Sequence, residues 1–121
     1  MKSDLKNQSF FQRLGFAWNG IFITWKNESS FRFQVFACFA VLGFLVWTRP
    51  PAVWWAIIFV LNAAVLAAEL FNTALENVLD VVHPQMHPLI GQAKDCAAAA
   101  VLVLSLSSLA VFAALIIQIY F

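Results

Sequence analysis

The chain has 121 residues, enough for one small domain, and 63% of them are hydrophobic. Charged residues make up only 11%, against about 25% in soluble proteins, so the composition predicts an integral membrane protein. The formal net charge of +1 offers no strongly basic surface, and we therefore expect no nucleic-acid partner.

Residues 10–26 carry aromatic and aliphatic side chains at steps of three and four, which places them on one face of a helix. The members of this face are Phe10, Phe11, Leu14, Trp18, Ile21, Phe22 and Trp25. With Ser9 as a suitable N-cap, the pattern predicts a helix over 9–27 that lies in the membrane interface, its aromatic face in lipid. A soluble helix packed on a core is disfavoured, because the chain has little soluble core. The stretch MKSDLKNQSF lacks the pattern of a cleaved signal peptide, so we expect the spans to direct insertion.

The next two apolar runs predict membrane-spanning helices over 29–48 and 52–82. The first is uncharged after Arg32, whose side chain can snorkel to the interface, so the run reaches the roughly 20 residues of a span. The sequence Arg-Pro-Pro at 49–51 then stops the helix. The second run continues for about 30 residues, or about 45 Å, so we expect its acidic end to protrude from one face of the bilayer.

The segment HPQMHPLIGQAKD, residues 83–95, is the most polar connection in the chain. We expect its prolines and Gly91 to interrupt the helix there. Residues 96–121 carry no charge and open with small residues that permit close helix contact, which predicts a third span over 95–120. The whole chain, 1–121, is thus predicted to form a single all-α membrane domain with three transmembrane helices and an N-terminal amphipathic interfacial helix.

Lysine and arginine are placed unevenly along the chain, and this asymmetry predicts its orientation. Five of the seven precede the first span: Lys2, Lys6, Arg13, Lys26 and Arg32. Lys94 lies in the second loop, and Arg49 is in the first. We therefore expect the N-terminus and the 83–95 loop on the cytoplasmic side, where ATP is available.

A polar stripe runs along the end of the second span. Its members are Glu69, Asn72, Glu76 and Asp80, spaced by 3, 4 and 4, with Asn62 and Thr73 close to it. The four fall within roughly 80° of one another on a helix. Because a charge beside a bilayer core costs several kcal/mol unless something binds it, such residues are functional candidates by default.

Three carboxylates on one stripe repel each other unless a cation lies between them, and magnesium typically takes one or two carboxylates. Glu28 precedes the first span at the same membrane face and could complete a metal site with Glu76. Lys94 could add positive charge there. Two alternatives stay open: Glu28 can simply favour the start of a helix, and Asp80 can be an ordinary solvated acid.

A further alternative for Asn62, Asn72 and Thr73 is a polar contact between helices. His83 and His87 flank Pro84 and so form no i, i+4 pair, which argues against zinc; His87 fits better as a loop donor to a ligand.

The sequence Lys94-Asp95 is expected to open the third span, where backbone N–H groups favour phosphate. The chain has no GxxxxGK[ST], GxGxxG, HRD or DFG motif, so the common routes to nucleotide binding are excluded.

The segment AELFNTALENVLD, residues 68–80, followed by HPLIGQAKDCAAAAVLV, resembles the small prokaryotic diacylglycerol kinase family. The likeness extends upstream through Trp18–Gly20, Asn27-Glu28 and Phe31-Arg32 and covers nearly the whole chain. It implies a homotrimeric bundle of three-span subunits in the bacterial inner membrane. It also implies transfer of the ATP γ-phosphate, with Mg²⁺, to the hydroxyl of a membrane lipid alcohol at the cytoplasmic interface.

The resemblance also implies roles for individual residues. Glu69 is the expected general base on the lipid hydroxyl, and Glu28 and Glu76 are the expected metal ligands. The expected nucleotide site comprises Phe16, Glu28, Asn72, Glu76, His87, Lys94 and Asp95. The expected lipid site comprises Arg13, Trp18, Trp25, Arg32, Trp47 and Glu69.

This sequence departs from the family pattern at Ser9 and Phe16, where members often carry a basic residue and a tyrosine, so a phosphate contact from position 9 is not expected. The family divides into diacylglycerol and undecaprenol kinases. The segment MHPLIGQAKD and Gln34 lean towards the second branch, and both substrates stay open.

Two non-kinase hypotheses compete. A non-catalytic membrane assembly subunit would use the polar stripe only for helix association. An ion or proton carrier with Glu69 as its relay needs a polar route across the bilayer, and the third span offers only Ser105, Ser107, Ser108 and Gln118.

Overall fold

The computed structural model describes residues 8–121, which form four α-helices joined by short links. The helices are α1 (Phe10–Asn27), α2 (Ser29–Thr48), α3 (Ala52–Val82) and α4 (Pro88–Tyr120). Three of them, α2, α3 and α4, are long and apolar enough to cross a membrane. The all-α fold with three spanning helices is therefore confirmed for the described residues, and Lys2 and Lys6, used above to predict orientation, lie outside them.

Helix α1 begins with a capping box. The backbone N–H of Gln12 donates to Ser9 Oγ at 3.1 Å, and the backbone N–H of Ser9 donates to Gln12 Oε1 at 2.9 Å. A side-chain cap of this kind stabilises a helix by about 1 kcal/mol. The helix ends at Asn27, and a single extended residue, Glu28, separates it from α2. The chain therefore turns sharply at Glu28.

The link between α2 and α3 is equally short. Arg49 adopts the left-handed conformation, with φ of 51°, and its N–H donates to Leu45 O at 2.8 Å. Two prolines follow, and neither can continue the preceding helix. Helix α3 then runs for 31 residues, about 46 Å, which is longer than a bilayer core.

Helix α4 starts earlier than the sequence predicts, at Pro88 instead of residue 95. Proline suits the first turn of a helix, where its missing N–H costs nothing, and His87 Nδ1 accepts a hydrogen bond from the N–H of Leu89 at 3.1 Å. Gly91 therefore lies inside the helix. Lys94 and Asp95 lie almost two turns from its start, so the expectation that they open the helix is wrong.

The helices pack mainly as an α3–α4 pair, with α2 against α3 and α1 against both α2 and α3. The buried core lies near the 49–51 link and consists of Leu45, Ile58 and Leu115. Phe31 and Val65 are also buried, but most other large apolar side chains of the described residues are at least partly exposed, including most of the aromatic face of α1. A surface this apolar is suited to lipid or to a protein partner.

The core near the 49–51 link should provide a measurable share of the stability. We expect Leu45→Ala to lower the free energy of unfolding by about 2–4 kcal/mol, because the leucine is fully buried and its removal leaves a cavity. The measurement is SDS-induced unfolding of the protein in mixed micelles.

Val46→Ala is the matched control, since Val46 is the next residue and is 60% exposed. Its loss should stay below about 1 kcal/mol. Equal losses for the two variants would contradict the position of the core.

Candidate functional site

The polar stripe of α3 is buried where it meets the apolar run. Glu69 is 3% exposed, and Thr73, one turn further on, is also buried. A buried carboxylate is costly unless hydrogen-bond donors or opposite charges surround it. The surroundings of Glu69 therefore determine what the site can do.

Ser30, in the first turn of α2, supplies the donor for Glu69. Its hydroxyl donates to Glu69 Oε2 at 3.1 Å, across 39 residues of sequence. Sequence analysis missed this residue. The available signal was the i, i+4 pair of polar residues Ser30 and Gln34, which gives α2 a short polar stripe of its own.

Asn72 and Glu76 form the next layer of the stripe. Asn72 Nδ2 donates to Glu76 Oε1 at 3.1 Å. The other end of the amide, Asn72 Oδ1, is buried and accepts no hydrogen bond from the described residues. An oxygen without a donor, beside a carboxylate, is a suitable environment for a cation.

Among the described residues, Glu28 and Glu76 are each close enough to Glu69 to influence it electrostatically. The link between α1 and α2 and one face of α3 therefore both place a carboxylate within electrostatic range of Glu69. In the described part of the chain, no three histidine, cysteine, aspartate or glutamate side chains form a ready-made metal site. Magnesium needs only one or two carboxylates, because phosphate and water complete its shell.

Asp80 and Lys94 connect the end of α3 to the second turn of α4. Lys94 Nζ donates to Asp80 Oδ1 at 2.7 Å. An ion pair this exposed contributes little to stability, but it holds a lysine one turn from Glu76. Asp95 and His87 are exposed, and the His87 ring caps α4.

Arg32 lies at the junction of α1 and α2. Its Nη1 donates to the backbone oxygens of Trp25 at 2.6 Å and of Lys26 at 3.1 Å, which are at the end of α1. The Trp25 ring packs edge-on against Phe36, with the ring centroids 5.6 Å apart. The two helices are thereby clamped on either side of Glu28.

The remaining predicted residues are not gathered around Glu69. Arg13, Phe16 and Trp18 lie on exposed parts of α1. Trp47 is 77% exposed at the opposite end of α2, about 25 Å along the helix from Ser30. Only the tail of a lipid bound at Glu69 could reach Trp47.

A cleft of about 520 Å³ opens between α2, α3 and α4, starting one turn below Glu69 at Val65. Its walls are mostly apolar, but Gln34 Nε2 donates to Ser105 Oγ across it at 3.1 Å. Asn62 Nδ2 and Ser108 Oγ are buried in its walls without a partner among the described residues. The cleft combines hydrocarbon walls with a few polar groups, as lipid and ligand sites often do.

Comparisons with known proteins give a consistent result. The family model described as prokaryotic diacylglycerol kinase matches residues 15–117. An undecaprenol kinase from Bacillus subtilis is 41% identical over 101 residues, covering 82% of this chain and 80% of that protein. A diacylglycerol kinase from Escherichia coli K12 is 32% identical over 89 residues, covering 74% of this chain and 73% of that protein. A diacylglycerol kinase from Synechocystis is 34% identical over 97 residues, covering 79% of this chain and 55% of that protein.

The Arg32 clamp can be tested without an activity assay. We expect Arg32→Ala to speed trypsin cleavage after Lys26 about tenfold, because hydrogen bonds from a charged donor hold this backbone in place. The measurement is the rate of cleavage in micelles, followed by mass spectrometry.

Arg13→Ala is the control, since Arg13 is an exposed arginine on the same helix. It should leave cleavage after Lys26 unchanged. A rate for Arg32→Ala equal to the rate for the unmodified protein would contradict the clamp.

Proposed function

Because the chain belongs to the prokaryotic diacylglycerol kinase family and is a lipid kinase, we propose that Glu69 is its general base. The enzyme uses ATP and a lipid substrate, and it is a membrane protein. The reaction moves the γ-phosphate of ATP to the hydroxyl of a membrane lipid alcohol. The observation that carries the proposal is the buried carboxylate of Glu69 at the end of an apolar membrane helix.

Glu69 is suited to take the proton of the lipid hydroxyl. Its Oε2 accepts from Ser30, while Oε1 accepts no side-chain hydrogen bond within residues 8–121. The carboxylate lies where the apolar run of α3 meets its polar end, which is the depth at which a lipid headgroup meets the bilayer core. A positioned base of this kind contributes typically 10²–10⁴-fold to rate.

Glu28 and Glu76 are the proposed ligands of Mg²⁺. The oxygen ligands suit a hard cation: Asn72 Oδ1, beside Glu76, is buried without a donor in the described part of the chain, and Glu28 lies within electrostatic range of Glu69. When bound, magnesium neutralises charge on the ATP phosphates, which is the principal demand of phosphoryl transfer. Glu76 also keeps Asn72 oriented through the hydrogen bond to Oε1.

Lys94 is the proposed phosphate partner. Its ammonium group pairs with Asp80 at the exposed end of the stripe, and an exposed pair is weak enough to be exchanged for a phosphate. The other proposed nucleotide residues are Phe16, Asn72, His87 and Asp95. We propose that this ATP site faces the cytoplasm and that the N-terminus lies on the same side of the bacterial inner membrane, as the distribution of lysine and arginine predicts.

A polyprenyl alcohol, undecaprenol, is the proposed lipid substrate. The 41% identity to an undecaprenol kinase supports it, whereas the relatives named diacylglycerol kinase are 32% and 34% identical. Diacylglycerol is the second candidate. The proposed lipid contacts besides Glu69 are Arg13, Trp18, Trp25 and Arg32 near the headgroup and Trp47 along the tail.

A homotrimer is also part of the proposal. The apolar faces of α2, α3 and α4 that point outwards can pack against other copies as well as against lipid. The trimer would also explain why Arg13, Phe16 and Trp18 point away from Glu69 of their own chain.

The proposed function is tested by transfer of labelled γ-phosphate from ATP in mixed micelles. Undecaprenol and diacylglycerol are offered separately, with magnesium and with EDTA. We expect Glu69→Gln to lower kcat at least about 10³-fold, because the amide cannot accept the proton.

Asp80→Asn is the control for Glu69→Gln, since it also removes one carboxylate from the stripe but at an exposed position. It should lower kcat by less than about tenfold. If Glu69→Gln is active at the unmodified rate, Glu69 is not the general base. If the folded protein transfers phosphate to neither lipid, the non-catalytic assembly subunit becomes the favoured hypothesis.

The metal assignment predicts a change in magnesium dependence. We expect Glu76→Gln to raise the magnesium concentration for half-maximal rate about tenfold or more, because a neutral amide is a weaker ligand than a carboxylate. The measurement is a magnesium titration at saturating ATP, with Asp80→Asn as the comparison. A half-maximal concentration unchanged in Glu76→Gln would argue against a metal at this position.

A further inference from the structure

We propose that Ser30 is a positioning residue for the base: its hydroxyl holds Glu69 Oε2 so that Oε1 is presented to the lipid hydroxyl. The inference rests on the proposed role of Glu69 as the general base. Ser30 lies on α2 and is therefore not a member of the polar stripe of α3.

The hydrogen bond itself is the first support. Ser30 Oγ donates to Glu69 Oε2 at 3.1 Å, and within residues 8–121 it is the sole side-chain hydrogen bond to this carboxylate. Glu69 is buried, so water cannot easily replace a lost donor. A carboxylate without its donor is free to rotate, and its reactive oxygen loses a defined direction.

The surrounding charges give the second support. Within residues 8–121, the charged groups that act on Glu69 are Glu28, in the link before α2, and Glu76, on its own helix, and both are acidic. Helix α4, which packs along α3, carries no charge after Asp95. The neutral hydroxyl of Ser30 therefore orients the carboxylate of Glu69. A basic residue in its place would compete with the lipid hydroxyl for that carboxylate.

The position of Ser30 in the chain gives the third support. Ser30 is the second residue of α2, two residues after Glu28 and two before the Arg32 clamp. One hydrogen bond thus fixes the first turn of α2 to the middle of α3. It sets the location of the base relative to the carboxylate of Glu28.

Ser30 is itself exposed, so removing its hydroxyl opens no cavity. The removal does take the donor from the buried carboxylate of Glu69, so some loss of stability accompanies the loss of turnover. A merely structural role would not produce a loss of kcat at unchanged KM for ATP in the folded protein, and that loss is the readout of positioning.

The test compares kcat and KM for ATP in variants that keep or remove the hydroxyl. We expect Ser30→Ala to lower kcat about tenfold, as for loss of a hydrogen bond to a charged group, with KM for ATP unchanged. Ser29→Ala is the matched control, because Ser29 is the exposed neighbour and its side chain makes no hydrogen bond among the described residues. It should keep the unmodified rate.

Ser30→Thr and Ser30→Val form a second pair, which has nearly the same shape and differs in the hydroxyl. Threonine should restore the rate to within about twofold, and valine should be as slow as alanine. If the alanine variant folds poorly, this pair still tests the role of the hydroxyl, because both branched side chains change the start of the helix equally.

A double-mutant cycle separates positioning from general damage. In a Glu69→Asp background the shorter carboxylate no longer reaches Ser30, so Ser30→Ala should change kcat by less than about twofold. A tenfold loss in that background as well would overturn the inference, because Ser30 would then act independently of the carboxylate.

The other outcomes of these experiments distinguish failure of the role of Ser30 from failure of the proposed function. A Ser30→Ala enzyme with the unmodified kcat, in a protein that Glu69→Gln inactivates, overturns the role of Ser30 and leaves the proposed function standing. Threonine and valine variants with equal rates also overturn it. If the unmodified protein transfers no phosphate to either lipid, the proposed function and this inference fail together.

Discussion

A carboxylate buried at the end of an apolar membrane helix must find a hydrogen-bond donor, and the fold around Glu69 satisfies this requirement. The donor comes from α2, so the first turn of α2 has to lie level with Glu69 on α3. The sharp turn at Glu28 then brings the end of α1 to the same level, where Arg32 caps its free carbonyls. The donor of this buried carboxylate therefore lies at the junction where three helices meet.

The two ends of the helix bundle differ in the polarity of the side chains that they bury. Near the 49–51 link, Leu45, Ile58 and Leu115 form a closed apolar core that holds α2, α3 and α4 together. At the other end, Glu28 and Glu76 lie within electrostatic range of Glu69, and Asn72 Oδ1 is buried without a donor in the described part of the chain. Such an arrangement is unfavourable by itself, and the proposed binding of a cation and phosphate would relieve it. The apolar core is concentrated at one end of the bundle, and the residues proposed to bind ligands lie at the other.

The kinase activity of the family can be understood from this division. Phosphoryl transfer to a lipid needs a water-facing site for ATP, a lipid-facing site for the alcohol, and a base between them. Helix α3 is long enough for such an arrangement, because it is longer than the bilayer core and its polar stripe runs from the buried Glu69 to the exposed Asp80. The Asp80–Lys94 pair marks the exposed end, and the cleft beginning at Val65 marks the apolar end.

The sequence by itself determined the number of helices, the bounds of α2 and α3, and the face that carries Glu69, Asn72 and Glu76, because hydropathy and the 3.6-residue period are local properties. It misplaced the start of α4, since proline both ends one helix and favours the first turn of the next. Only the tertiary structure decided that Ser30 meets Glu69, that Arg32 binds α1 carbonyls, and that Trp47 lies far from Glu69. Those contacts depend on the angles at Glu28 and Arg49, which pack distant segments side by side and have no periodic signal in the sequence.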